Sequence, residues 1–187
     1  MMNSPALQIV RQKAGIYFTP TDKVLDIGCG PGDITFEIAR KTHEVFATDI
    51  SEGMISSAKQ NAVKKNITNI LFYQTDLLDT KFQSGSFDVI TAFNMLQYIN
   101  DRRNHYCKIF ELLRPNGLFI SSTACFRERK SALRFVMAGL TLLKIVPEIF
   151  FYKKTELDSE IKESGFTIKE ASDISKLPER FIIAIKS

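Results

Sequence analysis

The sequence predicts an α/β fold in which a mostly parallel sheet carries helices on both faces. Two observations predict it. Short apolar strands alternate with helical segments along most of the chain, and the last two strands follow one another with no helix between them. Strands that are apolar on both faces are typical of a parallel sheet, and right-handed crossovers place helices on both of its sides. The last two strands can pair antiparallel at the sheet edge.

Seven strands are predicted, each a short and mostly apolar run. They are Lys23 to Ile27, Glu44 to Thr48, Ile70 to Gln74, Phe87 to Phe93, Leu118 to Ser122, Phe166 to Ala171 and Phe181 to Lys186. Apolar residues at helical spacing predict the helices between them. These are a first helix that starts at Ser4-Pro5 and runs to about Tyr17, then Asp33 to Lys41, Gly53 to Lys65, Arg102 to Leu112, and Thr155 to Ser164 with Thr155 as N-cap.

Composition and charge narrow the class of protein. The 187 residues are 44% apolar and 25% charged, which suits one soluble domain, and no run is long enough to span a membrane. Three widely separated cysteines and the lack of a signal peptide lead us to expect a cytoplasmic protein. The net charge of +4 is concentrated in residues 127–154, so we expect no nucleic acid partner, although this segment could contact a membrane surface.

The string VLDIGCGPGD at residues 24–33 places three glycines directly after the first strand. Glycines here let the chain turn sharply and let its backbone approach a ligand closely. The next helix begins at this point, so its free N–H groups face the same place. Because ligands bind open parallel sheets at the carboxyl ends of the strands, the sequence predicts a ligand site at this loop.

The spacing of the glycines argues against a dinucleotide. The dinucleotide fingerprint G-x-G-x-x-G requires a glycine where this chain has Asp33. Asp26, two residues before Gly28, is unhelpful beside a diphosphate but suits a ligand that carries an ammonium group. A nicotinamide-dependent oxidoreductase is therefore the less favoured alternative.

The segment Asp26-Ile27-Gly28-Cys29-Gly30-Pro31-Gly32 resembles the D-x-G-x-G-x-G pattern of the class I S-adenosylmethionine-dependent methyltransferases. The resemblance covers nearly the whole chain. It implies a Rossmann-like seven-stranded sheet, one domain over 1–187, S-adenosylmethionine as cofactor and S-adenosylhomocysteine as product. It also implies that Asp26, Gly28, Cys29, Gly30 and Gly32 bind the cofactor.

The same resemblance assigns the ribose and part of the adenine contacts. Asp49 ends the second strand and would accept hydrogen bonds from both ribose hydroxyls, as acids at this place do in dinucleotide enzymes. Ile50 and Met54 would sandwich the adenine, although both could equally be ordinary core residues.

Three further contacts follow from the resemblance. Asp76 would accept from the adenine amino group, with Leu77 supplying a backbone N–H, and Asp79 competes with Asp76 for this role. Asn94 would contact the methionine moiety. Tyr17 would reach the cofactor carboxylate, unless it is partly buried packing.

The sequence assigns the cofactor contacts more clearly than it assigns a catalytic residue. Methyl transfer from a sulfonium mainly requires correct distance and angle, so a dedicated acid or base is optional. The candidates are Tyr98, which could orient or deprotonate an acceptor, and His105, which could equally be a solvent-facing helix residue. No metal site is expected. Many small-molecule members carry histidines where this chain has Gln97 and Tyr98.

Residues 123–154 form the least standard segment, and we expect them to be a substrate-covering insertion. The stretch FVMAGLTLL within it has helical spacing and basic flanks. It could cover the sheet, close over an apolar acceptor pocket, or touch anionic lipid or a partner helix. Our hypothesis is an enzyme with a small, rather apolar acceptor. The alternative within the same family is a non-catalytic or regulatory protein that binds S-adenosylmethionine.

Overall fold

Seven strands form one sheet in the part of the chain that the computed structural model describes, which comprises residues 5–125, 148–150, 152–174 and 179–187. The strand order is β3-β2-β1-β4-β5-β7-β6. The strands are β1 Lys23–Ile27, β2 Glu44–Asp49, β3 Ile70–Gln74, β4 Phe87–Phe93, β5 Leu113–Ala124, β6 Phe166–Asp173 and β7 Glu179–Lys186. Strands β1 to β5 run parallel, and β7 pairs antiparallel with both β5 and β6. The predicted fold class and the antiparallel final pair are confirmed.

Five α-helices lie among the described residues. They are α1 Pro5–Ala14, α2 Thr35–Ala39, α3 Glu52–Lys64, α4 Arg102–Leu112 and α5 Lys154–Glu163, and a 3₁₀ turn spans Leu96–Tyr98. None of these described helices has the length and apolar character needed to cross a bilayer.

Alternation along the strands divides the core into two layers. On β1, Val24 points to one face of the sheet and Leu25 to the other, because successive side chains of a strand alternate. Helices α1 and α2 pack on the Val24 face, and α3 adds Ile55 against Ala47 on that same side. Helices α4 and α5 pack on the Leu25 face through residues such as Tyr106 and Ile161. Both faces of the sheet are therefore covered by helices.

The predicted boundaries differ from the structure in a few places. The prediction of Thr155 as N-cap is wrong: Lys153 is the N-cap of α5, and its N–H is accepted by Glu156 Oε2 at 3.0 Å. Strand β5 begins at Leu113 instead of Leu118, because Leu113 already pairs with Phe87. The ladder between β4 and β5 is irregular between Phe87 and Val89, and Asn116 within β5 adopts a φ of 63°.

The order of the strands positions the ligand site. The chain builds outward from β1 to β3 and then returns to place β4 on the other side of β1. In an open parallel sheet, this reversal leaves a crevice at the carboxyl ends of β1 and β4. The glycine loop follows β1 directly and therefore lies at the crevice.

Candidate cofactor site at the carboxyl edge of the sheet

The glycine loop is held by the neighbouring strand and adopts a backbone that favours glycine. Gly28, Gly30 and Gly32 have φ values of 70°, 54° and 94°. A Cβ on Gly28 would lie 2.7 Å from Met95 Cβ, and one on Gly32 would lie 2.3 Å from the Phe36 ring. A Cβ on Gly30 would meet no protein atom within 4 Å. The loop is thus packed at its two ends and open at its centre, which allows a ligand to approach the backbone closely.

Asp49 lies beside the open centre of this loop. Its Oδ2 accepts the Gly30 N–H at 2.9 Å, and its Oδ1 accepts the Ser51 N–H at 2.9 Å. A carboxylate offers about four lone-pair positions, so each oxygen retains capacity for a further donor. The two backbone donors therefore orient the carboxylate and leave it able to accept a pair of hydroxyls.

Asp26 lies beneath the loop and is closed off from its open side. Only 3% of the residue is exposed, and its oxygens accept the hydroxyls of Thr35 at 2.6 Å and Thr91 at 2.7 Å. Burial raises the pKa of this carboxyl to about 6; the two hydroxyl donors oppose the rise, and nearby Asp49 adds to it. The structure thus gives Asp26 a supporting position that ties β1 to β4 and α2, instead of the direct ligand contact expected from the sequence.

Cys29 contributes its backbone to the loop, while its side chain belongs to the core. Its N–H and that of Gly28 both donate to Thr48 O, at 2.9 and 2.8 Å. The thiol packs with Ala47 and Ile55, and burial raises its pKa. A neutral, enclosed thiol is a structural group.

Ile50 and Met54 expose apolar surface next to Asp49. Their exposed fractions are 72% and 45%, so the alternative that they are ordinary core residues is wrong. Ser51 between them caps α3 by accepting the Met54 N–H. The beginning of α3 therefore presents two aliphatic side chains beside an acid, which suits a planar ring attached to a sugar.

Asp76 and Leu77 follow β3 at the same edge of the sheet. The Asp76 side chain is 41% exposed, and its Oδ1 accepts the Leu78 N–H at 2.8 Å. The Leu77 side chain is buried in the core, so only its backbone can face a ligand, and its N–H meets no acceptor among the described residues. Asp79 is exposed one turn later, and its N–H donates to Asp76 O. The edge after β3 thus offers one carboxylate and one backbone donor side by side.

His105 joins this group, which the sequence did not lead us to expect. It is neither a solvent-facing residue nor a side chain open to an acceptor, because it is 7% exposed. Its Nε2 lies 3.5 Å from Asp76 Oδ1, and its Nδ1 lies 2.7 Å from Asp101 O. The signal that could have found it is the phase of α4, where His105 shares the buried side with Ile109 and Leu112.

The end of β4 closes the site from the other side. Asn94 adopts a φ of 52°, is exposed, and accepts a hydrogen bond at its carbonyl from Gln97 Nε2 at 2.7 Å. Met95 is the residue that contacts Gly28. Tyr98 is 45% exposed in the 3₁₀ turn that follows. Buried Gln97 Oε1 has no hydrogen-bond partner among the described residues.

Tyr17 does not reach this site. Its hydroxyl donates to Glu170 Oε2 at 3.3 Å, and Glu170 lies on β6. Strand β6 is the edge strand, separated from β1 by three strands. The burial of the phenol and the charge of Glu170 both raise the pKa of Tyr17. Its expected contact with the cofactor carboxylate is therefore wrong, and the packing alternative describes its position.

Residues 126–147, and with them the helix predicted for FVMAGLTLL, lie outside the described residues. After them the chain returns to the turn that follows β4, residues 94–99, here called the β4 turn. The Phe150 N–H donates to Gln97 O at 2.8 Å. The Tyr152 hydroxyl donates to Ile99 O at 2.8 Å, and the Arg102 guanidinium lies 3.6 Å from the centre of the Tyr152 ring. The C-terminal end of the predicted insertion is thus hydrogen-bonded, through Phe150 and Tyr152, to the turn that contains Tyr98.

Comparisons with known proteins point to the same chemistry as the site. A family model described as a methyltransferase domain matches residues 18–179. The ubiquinone biosynthesis O-methyltransferase of Acinetobacter baumannii is 27% identical over 162 residues, which covers 83% of this chain and 68% of that protein.

Solved structures share the fold at low identity. A SAM-dependent methyltransferase from Aquifex aeolicus superposes with a TM-score of 0.76 at 15% identity, covering 98% of this chain and 94% of that chain. The geranyl diphosphate C-methyltransferase of Streptomyces coelicolor A3(2) superposes with a TM-score of 0.76 at 14% identity, covering 91% of this chain and 74% of that chain.

The open loop centre, the oriented acid at the end of β2 and the exposed aliphatic pair fit S-adenosylmethionine. Neither the oxidoreductase nor the non-catalytic alternative is favoured by the comparisons. Because the family model spans most of the sequence, this chain belongs to the class I S-adenosylmethionine-dependent methyltransferases.

Proposed function

We propose that this enzyme transfers the methyl group of S-adenosylmethionine to an oxygen atom of a small, rather apolar acceptor that binds beside the β4 turn. The observation that carries the proposal is the attachment of Phe150 and Tyr152 to Gln97 and Ile99. These two hydrogen bonds bring the end of the predicted insertion to the turn after Asn94, and in the family this turn lies near the methionine end of the cofactor. The name of the Acinetobacter relative, an O-methyltransferase of ubiquinone biosynthesis, supports oxygen as the acceptor atom.

Five residues would hold the nucleoside part of the cofactor. Asp49 accepts the ribose hydroxyls, and Ile50 and Met54 contact the faces of the adenine. Asp76 accepts the adenine amino group while the Leu77 N–H donates to the ring. The basis for these roles is that the acids carry free lone pairs and the two aliphatic side chains are exposed.

The cofactor, when bound, supplies a methyl group that its sulfonium has already activated. The contribution of this chain is to hold the acceptor oxygen in line with that group and to exclude water. Correct orientation of two reactants can lower a barrier by roughly 7–11 kcal/mol. No histidine of the described site faces the β4 turn, because His105 points to Asp76. Tyr98 is the side chain that we propose to orient the acceptor.

The substrate-covering role of residues 123–154 stays a prediction. The support for it is that the segment departs from the end of β5 and returns at Phe150, so both of its ends lie at the carboxyl edge of the sheet. The single-domain boundary of 1–187 likewise remains our proposal.

The test is turnover with a panel of small hydroxylated aromatic compounds of increasing apolar character. Purified protein is incubated with isotope-labelled S-adenosylmethionine, and products are identified by mass spectrometry. We expect O-methylated products, better rates for the more apolar acceptors, and loss of turnover in Asp49→Ala. The matched control is Asp79→Ala, an exposed acid at the same edge, which should retain turnover. Cofactor binding without any transfer would instead support the non-catalytic alternative.

A further inference from the structure

His105 lies where the loop after β3 meets the start of α4. Its Nδ1 is 2.7 Å from Asp101 O. A carbonyl oxygen can only accept, so this ring nitrogen carries a hydrogen and donates it. The Asp101 carbonyl also accepts the His105 backbone N–H at 3.4 Å. The ring is therefore held at one end by the first turn of its own helix.

The other end of the ring faces Asp76. The distance from Nε2 to Asp76 Oδ1 is 3.5 Å. A neutral ring that donates through Nδ1 would present a lone pair to the carboxylate, which is repulsive. A ring with a hydrogen on both nitrogens would carry a positive charge and attract the carboxylate, at a distance longer than an ordinary hydrogen bond. In that form of the ring the contact is an ion pair.

The two oxygens of Asp76 have different surroundings. Oδ1 faces His105 and accepts the Leu78 N–H at 2.8 Å. Oδ2 accepts from no described residue, although the Asp76 side chain is 41% exposed and the His105 side chain only 9%. One oxygen is thus anchored on the protein side, and the other is left to the solvent side, where a ligand would lie.

We propose that His105 is a positioning residue for adenine recognition, which holds Asp76 Oδ1 so that Oδ2 accepts the 6-amino group of the cofactor. The inference rests on the adenine-binding role of Asp76 in the proposed function. It assigns His105 a part in base specificity: a base with a 6-amino donor is accepted, and a base with a 6-carbonyl acceptor, such as hypoxanthine, is rejected. An unanchored carboxylate could rotate away from the carbonyl and would discriminate less.

The experiment compares binding of S-adenosylhomocysteine and S-inosylhomocysteine by calorimetry. We expect the wild-type protein to prefer the adenine compound. His105→Leu should weaken S-adenosylhomocysteine binding about tenfold and leave S-inosylhomocysteine nearly unchanged, because the ion pair that orients the Asp76 carboxylate is lost. His105→Gln keeps a side-chain donor and should restore part of the preference. His43→Leu is the matched control, since His43 is the other histidine of the chain and is exposed before β2.

The outcomes separate the inference from the proposed function. If the wild-type protein prefers adenine but His105→Leu weakens both compounds equally, or neither, His105 is merely structural and the inference is overturned. If the wild-type protein itself shows no preference for adenine, the adenine-binding role of Asp76 fails, and the inference fails with it.

A spectroscopic measurement on the wild-type protein covers the case in which His105→Leu does not fold. The chain has two histidines, so ¹⁵N spectra of the two imidazoles can be assigned with His43→Leu. We expect the ring ¹⁵N signals of His105 to move when S-adenosylhomocysteine binds and those of His43 to stay unchanged. Unchanged His105 signals in that complex would overturn the proposal.

Discussion

Replacement of Asp26 by asparagine should change how the stability of the fold depends on pH. Asp26 is 3% exposed beneath the glycine loop, and burial raises its pKa from 3.8 to about 6. Between these two values the folded state retains a proton that the unfolded chain has released. The free energy of unfolding therefore falls as pH rises from about 4 to about 6, and stays lower above that range.

The size of the effect follows from the two pKa values. At about 1.36 kcal/mol per pKa unit, the ionised carboxylate costs the fold about 3 kcal/mol above pH 6. An asparagine side chain cannot ionise, yet it retains one acceptor for a threonine hydroxyl and gains an amide donor for the other hydroxyl. We expect Asp26→Asn to gain about 3 kcal/mol relative to wild type between pH 4 and pH 8, or roughly 6–12 °C in Tm for a chain of this length.

The assay is urea unfolding followed by circular dichroism at several pH values without cofactor. The comparison uses the change with pH instead of the absolute stability, because asparagine also alters the strength of the two threonine hydrogen bonds. Asp79→Asn is the control, since Asp79 is exposed. Parallel pH profiles of wild type and Asp26→Asn would refute the reasoning that burial has a larger effect on the pKa of the Asp26 carboxyl than the two threonine donors have.

Four further changes test the site. S-adenosylhomocysteine at about 100 times its Kd should raise the free energy of unfolding by roughly 2.7 kcal/mol and so raise Tm. NAD should leave Tm unchanged. The rise in Tm with S-adenosylhomocysteine should vanish in Asp49→Ala. Gly32→Ala should destabilise the fold by several kcal/mol in urea unfolding, because its Cβ would lie 2.3 Å from the Phe36 ring. Gly30→Ala should cost only about 1–2 kcal/mol of backbone strain and should instead reduce cofactor affinity. Tyr98→Phe should lower kcat for the acceptor with little change in cofactor Kd, and an unchanged kcat would remove Tyr98 from the acceptor site. Tyr17→Phe should leave cofactor Kd unchanged in calorimetry, since its hydroxyl bonds Glu170 on β6.

Much of the fold was predictable because its signals are local. Strands β1, β3 and β4 and helix α4 begin and end at the predicted residues, since each is a short apolar or amphipathic run between clear turn residues. The N-cap of α5 was missed because Thr155 is a typical capping residue, whereas Glu156 accepting the Lys153 N–H depends on the local backbone. The start of β5 was missed because pairing of Leu113 with Phe87 is a contact between distant parts of the chain.

The sequence by itself determined the chemical character of the site: a glycine loop after β1, with acids after β2 and β3, predicts a nucleoside-binding edge. Only the tertiary structure decided which side chains face that edge. In it, Asp26 lies beneath the loop and accepts from Thr35, Tyr17 donates to Glu170 on β6, and His105 contacts Asp76. The physical reason is that motif spacing fixes position along the chain, whereas burial and hydrogen-bond partners depend on neighbouring strands and helices that come from distant parts of the sequence.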